Sequence, residues 1–318
     1  MGLGMGLGMW YDGRMDKKIL IIIDGNAIVH RAYHALPPLK TKKGELVNAI
    51  YGFLLALFSA VNEFKPDYIA ATFDLPGPTF RHKKFKLYKA NREKAPDDLY
   101  AQIPKIKEVL KEFGIKIFEK KGFEADDIIG TIAKIAPRKR VHPPLESIIL
   151  TGDLDALQLV NKNTKVNALR KGVKDTILYD EEKVKERYEG LVPDQLVDYK
   201  ALRGDPSDNI PGVTGIGEKT AISLIKEFSS LDKVYADLNN IQGKTREKLE
   251  LGKDQAYVSQ MLARINQDVS INFDLEKCAW KGYNKEKVSK VLDDYEFKTL
   301  KERLFQEKKI EKKTLQLI

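Results

Sequence analysis

Residues Ile19 to Ile23 read Ile-Leu-Ile-Ile-Ile, and the next residue is Asp24. An aliphatic run this short, with no polar alternation, is the pattern of a strand covered on both faces. Such strands belong to parallel sheets sandwiched between helices. The pattern recurs at Tyr68 to Phe73, which leads into Asp74, and at Ser147 to Thr151, which leads into Gly152 and Asp153. Ile115 to Phe118 is a shorter candidate strand. Helical spacing lies between these runs, at Leu46 to Phe64, Asp97 to Phe113 and Ala125 to Ile135, and Gly114 supplies a helix stop. Val166 to Leu169 and Thr176 to Tyr179, joined across Gly172, read as a hairpin. The alternation predicts an α/β domain over residues 17–184, with a largely parallel central sheet flanked by helices.

After Asp180 the strand signals stop. Helical segments follow at Glu181 to Tyr188, Pro193 to Leu202, Glu218 to Phe228 and Gln255 to Ile265, which predicts an all-helical domain over residues 185–290. Residues 291–318 read as a C-terminal helix or tail, lysine-rich from Lys298, with Leu300 and Leu304 as its last apolar spacing. Residues 1–16 repeat Met-Gly-Leu-Gly and read as a flexible extension, with Met15 a candidate true start. They lack the basic start and continuous apolar stretch of a signal peptide. No apolar run approaches the roughly 20 residues that span a bilayer, so no membrane association is expected. Cys278 is the only cysteine. It excludes an intramolecular disulfide and a cysteine zinc site, and it fits a reducing cytoplasm, as it would fit other compartments.

The informative feature is where the acids fall. Asp24 and Asp74 end strands, Asp153 and Asp155 lie just beyond one, and Glu124, Asp126 and Asp127 open a helix. In an open parallel sheet, functional groups gather beyond the carboxyl ends of the strands, so these segments would aim carboxylates into one crevice. Singly, each has an ordinary reading: acids favour a helix N-terminus, and Asp24 before Gly25 suits a turn. Together, like charges need a counter-charge, and hard divalent cations with oxygen ligands provide it. No His or Cys accompanies the acids, so Mg²⁺ or Mn²⁺ fits better than Zn²⁺. Asp205 and Asp208 stand at the entry to the helical domain, either as turn caps or as part of a second metal site.

Ile210 to Ala221 read Ile-Pro-Gly-Val-Thr-Gly-Ile-Gly-Glu-Lys-Thr-Ala. Gly212 and Gly217 have the spacing of a phosphate loop, but Glu218 takes the lysine position and would repel phosphate. The dinucleotide pattern fails too, since Thr220 stands where its third glycine belongs. A helix-hairpin-helix matches better. Its glycine turn presents backbone N–H groups to DNA phosphates without reading sequence. A plain helix–helix turn is the simpler alternative.

Lys plus Arg exceed Asp plus Glu by 55 to 46. Such a surplus points to a polyanionic partner, although an ordinary basic surface has the same composition. Arg81 to Lys94 concentrate cations around Phe85 and Tyr88, just after Phe80. Cations for phosphate and rings for stacking suit an unpaired strand, while a solvated surface helix is the plain reading.

These blocks together resemble the 5′ nuclease domain of bacterial DNA polymerase I and the wider flap endonuclease family. The resemblance covers about Lys18 to Asn272. It is carried by Ile-Asp-Gly at Asp24, Phe-Asp at Asp74 with Phe-Arg-His at Arg81, Glu-Ala-Asp-Asp at Glu124, Thr-Gly-Asp-x-Asp at Asp153, and the long block from Gly204 through Ala221. It implies a PIN-like nuclease core followed by a SAM-like helix-hairpin-helix domain. It implies a first metal among Asp24, Asp74, Glu124, Asp126 and Asp127, and a second among Asp153, Asp155, Asp205 and Asp208. Arg31, Arg81, Lys89 and Arg92 would be phosphate-contacting cations, with Asp24, Asp74, Arg31, Arg81 and Lys89 as catalytic groups. An arch at about residues 80–95 would contact the 5′ strand through Arg81, Tyr88, Lys89 and Arg92. Gly212, Gly215, Ile216, Gly217, Glu218, Lys219 and Thr220 would bind the duplex. A K⁺ ion is implied at the carbonyls of Leu202, Arg203, Pro211, Val213 and Ile216.

The resemblance implies hydrolysis of DNA at a 5′ end, flap or nick by metal-activated water, in removing RNA primers and flaps during replication and repair. The polymerase I relatives continue into further domains, so the chain reads as a free-standing nuclease, with a separate polymerase as partner, or as a fragment. The rival readings are an inactive DNA-junction binder and a PIN-like ribonuclease. The full set of nine acids argues against the first, and the helix-hairpin-helix against the second.

Overall fold

The computed structural model describes residues 17–139 and 141–305. The expected extension at 1–16, its candidate start Met15, and the tail beyond 305 lie outside the described residues.

In chain order, β1 (Lys18–Asp24) leads into α1 (Gly25–Ala35) and α2 (Asn48–Phe64), and β2 (Tyr68–Thr72) into α3 (Phe80–Lys84), α4 (Asp97–Tyr100) and α5 (Gln102–Glu112). Next come β3 (Lys116–Phe118), α6 (Ala125–Ile135), β4 (Leu145–Thr151), β5 (Thr164–Leu169) and β6 (Thr176–Tyr179). The rest is helical: α7 (Glu181–Arg187), α8 (Leu196–Arg203), α9 (Glu218–Phe228), α10 (Leu231–Ala236), α11 (Gly243–Ala263) and α12 (Lys285–Asp294). Residues 298–305 are also helical.

The sheet order is β3-β2-β1-β4-β5-β6, parallel throughout except for the antiparallel β5–β6 pair. The aliphatic run sits in the middle, and its side chains divide by parity, as a pleat requires. Leu20 and Ile22 join one core with α6 and the helical elements. Ile21 and Ile23 join the other with α1, α2 and α5. The first core continues without a break into Leu202, Val213, Ile222 and Leu249, so the sheet and the later helices share one apolar interior.

Two expectations need correction. The single helix over Asp97 to Phe113 is broken at Ala101, because Pro104 has no N–H to offer the Tyr100 carbonyl. The helix expected at Gln255 to Ile265 starts twelve residues earlier, at Gly243, and ends at Ala263. Its charged first half carries little apolar spacing, and Leu249 is its first fully buried side chain.

Candidate active site

β1 has β2 on one side and β4 on the other, and the chain leaves the two pairs in opposite directions across the sheet. Such a switch point opens a crevice at the strand ends. Asp24, Asp74 and Asp153 follow from these three neighbouring strands. Asp24 is 3% exposed; it caps α1 by accepting from Ala27 N (3.1 Å) and accepts from Thr151 Oγ1 (2.6 Å). Asp74 accepts from Ala125 N (2.7 Å), and its own N–H donates to Asn26 Oδ1 (2.9 Å). Glu124 precedes α6 and Asp126 lies in its first turn. Asp24, Asp74, Glu124, Asp126 and Asp153 line one cleft of about 320 Å³, together with His30, Lys89 and Arg92.

Five carboxylates therefore face two full cations. Burial pushes the Asp24 carboxyl up to about 7, with the charges of Asp153 and Asp74 adding to it and the Thr151 and Ala27 bonds opposing. Burial and the neighbouring Asp24 and Asp153 charges also raise Asp126. Burial, together with the charges of His34 and Arg92, lowers His30 below its ordinary value. This is a site with uncompensated negative charge whose acids supply oxygen donors, the set that hard divalent ions take. His30 also lines it, contrary to the expectation that no His accompanies the acids.

The remaining acids are held by cations of the chain itself. Lys200 of α8 reaches back to Asp155 and donates to Asp205 Oδ2 (2.7 Å); its side chain is 14% exposed. Burial and the Asp153 charge raise Asp155 to about 6 against the pull of Lys200. Burial also tends to raise Asp205, but the bond and charge of Lys200 outweigh it and leave that carboxyl below its ordinary value. Asp208 pairs with Arg92 and Lys89 (3.7 Å to the latter), and Lys89 also donates to Glu124 Oε1 (3.1 Å). Among the described residues, no three Asp, Glu, His or Cys side chains stand as a group that would close round one ion as placed. The oxygens are present, and ammonium and guanidinium groups stand between several of them.

Asp127 does not line the cleft. It is fully buried and bonds both arms of Arg81 at 2.8 Å, while also accepting from Glu124 N and Asn266 N. Arg81 is 2% exposed and donates to the carbonyls of Leu262 and Arg264. With its oxygens so engaged, Asp127 has no free face for a metal here, and Arg81 none for DNA. Both expectations are revised: the pair ties α3 and α6 to the end of α11. Tyr88, expected to stack on bases, is 3% exposed. Its hydroxyl meets Glu124 (3.1 Å) and Asp208 (3.3 Å), and its ring packs with Ile210 and Leu262. The expected arch is thus folded onto the 205–209 loop, with Lys89 N donating to Asp208 O and Asn209 Nδ2 to Leu87 O. Arg31 lines an adjoining cavity with His30, His34 and Asp153, and donates to the Arg170 carbonyl (3.2 Å).

In the glycine hairpin, Gly215, Gly217, Glu218 and Lys219 are exposed and Thr220 is half-buried. Gly212 and Ile216 turn inward, which removes their expected surface contact with DNA. A Cβ on Gly212 would lie 2.3 Å from Gly204 N, and the Ile216 side chain belongs to the core. Two of the carbonyls implied for K⁺ already accept backbone bonds, Leu202 from Val213 N (2.8 Å) and Val213 from Ile216 N (2.9 Å). Sequence reasoning missed Lys200, Thr151 and Asn26. Thr151 lies inside the matched block Thr-Gly-Asp and Asn26 directly follows Ile-Asp-Gly, but Lys200 carries no signal beyond its helix.

A family model for the 5′-3′ exonuclease N-terminal resolvase-like domain matches residues 19–189, and one for the 5′-3′ exonuclease C-terminal SAM fold matches residues 191–286. DNA polymerase I of Caldicellulosiruptor bescii is 45% identical over 287 residues, covering 90% of this chain and 33% of that protein. DNA polymerase I of Bacillus subtilis is 43% identical over 290 residues, covering 91% and 32%. The chain thus spans about a third of the length of these relatives. A T5 5′-exonuclease structure with bound zinc superposes with a TM-score of 0.66 at 20% identity, covering 87% of this chain and 98% of that one. The catalytic core of Rad2 in complex with DNA substrate gives 0.56 at 17% identity, covering 88% of each. At these identities the likeness establishes the shared fold.

Proposed function

The chain belongs to the 5′-3′ exonuclease family, and we propose that it hydrolyses DNA phosphodiesters at 5′ ends and 5′ flaps with two divalent ions, Mg²⁺ or Mn²⁺. The observation that carries this reading is the convergence of Asp24, Asp74, Glu124, Asp126 and Asp153 on one cleft. When bound, divalent ions activate water and neutralise the leaving oxygen of a phosphodiester. The chain's own side chains do the rest. Asp24, Asp74, Glu124, Asp126 and Asp153 supply oxygens from elements fixed by the sheet and by α6. Asp155, Asp205 and Asp208 supply them from the neighbouring edge. Lys89 and Arg92 carry positive charge at the cleft mouth and position the scissile phosphate, while Arg31 takes a phosphate further along the strand. The exposed residues Gly215, Gly217, Glu218 and Lys219 hold duplex through backbone N–H groups.

The role follows the relatives: removal of primers and flaps in replication and repair, beside a polymerase that is fused or separate. A K⁺ ion at the hairpin belongs to the same reading and would share the Leu202 and Val213 carbonyls with their backbone donors. The test is labelled 5′-flap DNA and single-stranded RNA, each with Mg²⁺, with Mn²⁺ and with chelator. Metal-dependent cutting of the flap is expected. An intact flap under every metal condition at low salt rejects the enzyme, and preferential cutting of RNA makes it a ribonuclease.

A further inference from the structure

The ammonium of Lys200 sits between Asp155, just beyond β4, and Asp205, just beyond α8. It is mostly shielded from water, at 14% side-chain exposure, and the two carboxylates are 22% and 13% exposed. Without it, two partly buried like charges would face each other across the junction of the sheet and the helical elements, an arrangement that needs a counter-charge. The structure therefore holds a cation of its own where the family reading calls for a metal ion.

We propose that Lys200 is the resident counter-cation of the Asp155–Asp205 pair and competes with the second divalent ion for it. The inference rests on the reading that this pair holds a divalent ion. A metal takes carboxylate oxygens at about 2.0–2.6 Å, depending on the ion. The Lys200 Nζ–Asp205 contact of 2.7 Å already fills that approach. Binding at this pair must therefore move the ammonium aside, whereas in the cleft Lys89 holds Glu124 (3.1 Å) but, among the described residues, no cation bonds Asp24 or Asp126. The two sites are then unequal. The cleft binds first, and the Asp155–Asp205 pair is filled only when Lys200 finds another anion, for which a phosphate of the DNA strand is the chemical match. Substrate and second ion would load together, and the DNA-free chain would keep its junction closed.

The probe is Mn²⁺ alone, titrated into the full DNA-free chain with free ion read by electron paramagnetic resonance. Wild type should show one tighter class and one weaker class. Asp155→Asn with Asp205→Asn should abolish the weaker class; if that class survives, the pair is not its site and the premise fails. Lys200→Met keeps the stem and removes the charge. It should tighten the weaker class by about tenfold or more, the scale of one pKa-sized electrostatic effect, and leave the tighter class alone. Lys200→Arg should keep it weak. Equal or poorer second-site affinity in Lys200→Met overturns the competition and leaves Lys200 a structural staple. Should Lys200→Met fold poorly without metal, its melting midpoint decides. A larger Mn²⁺-dependent rise than wild type supports the proposal, and an equal rise refutes it.

Discussion

The guanidinium of Arg81 and the carboxylate of Asp127 meet through two 2.8 Å bonds in a place where neither side chain is more than 3% exposed. Burial works against the charge on Arg81, but the Asp127 bond and the Asp127 and Glu124 charges outweigh it and hold the guanidinium protonated. Lone removal of either partner leaves a buried charge without compensation, which costs about 3–5 kcal/mol. Arg81→Ala should therefore lower the thermal midpoint sharply, followed by circular dichroism. A variant that melts with wild type yet no longer binds flap DNA would return Arg81 to the DNA-contacting role that sequence reasoning assigned it.

That reassignment marks where the sequence stops being legible. The sheet was readable because Ile19 to Ile23, Tyr68 to Phe73 and Ser147 to Thr151 are short apolar runs whose burial on both faces follows from local pattern alone. The cleft was readable because strand ends in a parallel sheet point one way, so Asp24, Asp74 and Asp153 had to converge. Partner choice was not readable. Arg81 and Asp127 are 46 residues apart, and Lys200 and Asp155 are 45 apart. Nothing local distinguishes a cation bound for phosphate from one bound for a buried carboxylate. Tyr88 failed for the same reason: a ring among lysines reads as a stacking platform until Ile210 and Leu262 are found against it.

Asp153→Ala should cut flap cleavage by roughly a thousandfold, since a lost metal ligand removes several kcal/mol of transition-state stabilisation. DNA binding should hold or tighten, because a negative charge beside phosphate is gone. Single-turnover cleavage and binding titration, measured together, check both halves. Turnover at the wild-type rate would reject Asp153 as a ligand.

Lys89→Ala with Arg92→Ala should lower single-turnover flap cleavage by about a hundredfold, through poor positioning of the scissile phosphate. Duplex affinity should barely change, because both side chains face Glu124 and Asp208 rather than the hairpin. On flap DNA the salt dependence should flatten by about 0.7 for each single-strand phosphate that is no longer neutralised. An equal drop in affinity on duplex would make this stretch part of a general duplex surface.

Two glycines of the hairpin should behave oppositely. A methyl on Gly217 meets nothing within 4 Å, and its φ of −94° suits any residue. Gly217→Ala should thus keep wild-type stability and weaken duplex binding by standing between backbone N–H groups and phosphate. Gly212 has a φ of +66°, and a methyl there would strike the Gly204 backbone. Gly212→Ala should lose stability before binding can be asked about. Full duplex affinity in Gly217→Ala would move the duplex contact away from this turn.

The buried acids should also make stability and metal affinity depend on pH. Asp24 lies near 7 and Asp155 near 6, against an ordinary 3.8, chiefly because burial disfavours their charged forms. A carboxyl raised in the folded state favours folding while protonated. Its contribution is complete below about pH 4 and is lost as pH climbs through 6 and 7. In chelator, these two groups should lower the melting midpoint across that window. Metal ligation demands the deprotonated form, so divalent ions must displace any proton still bound. Apparent Mn²⁺ affinity should then rise with pH, by up to about tenfold per pH unit for each proton displaced, and level off above about 7. The metal-dependent gain in melting midpoint should widen over the same range, because the ions restore what deprotonation removed. Asp24→Asn should flatten the upper part of the curve by removing the group that titrates there. Melting scans with chelator and with Mn²⁺, at steps across this window, give both quantities. An affinity already level from about pH 5 upward would mean that the cleft carboxylates titrate near their ordinary values, and that burial at Asp24 is relieved by solvent.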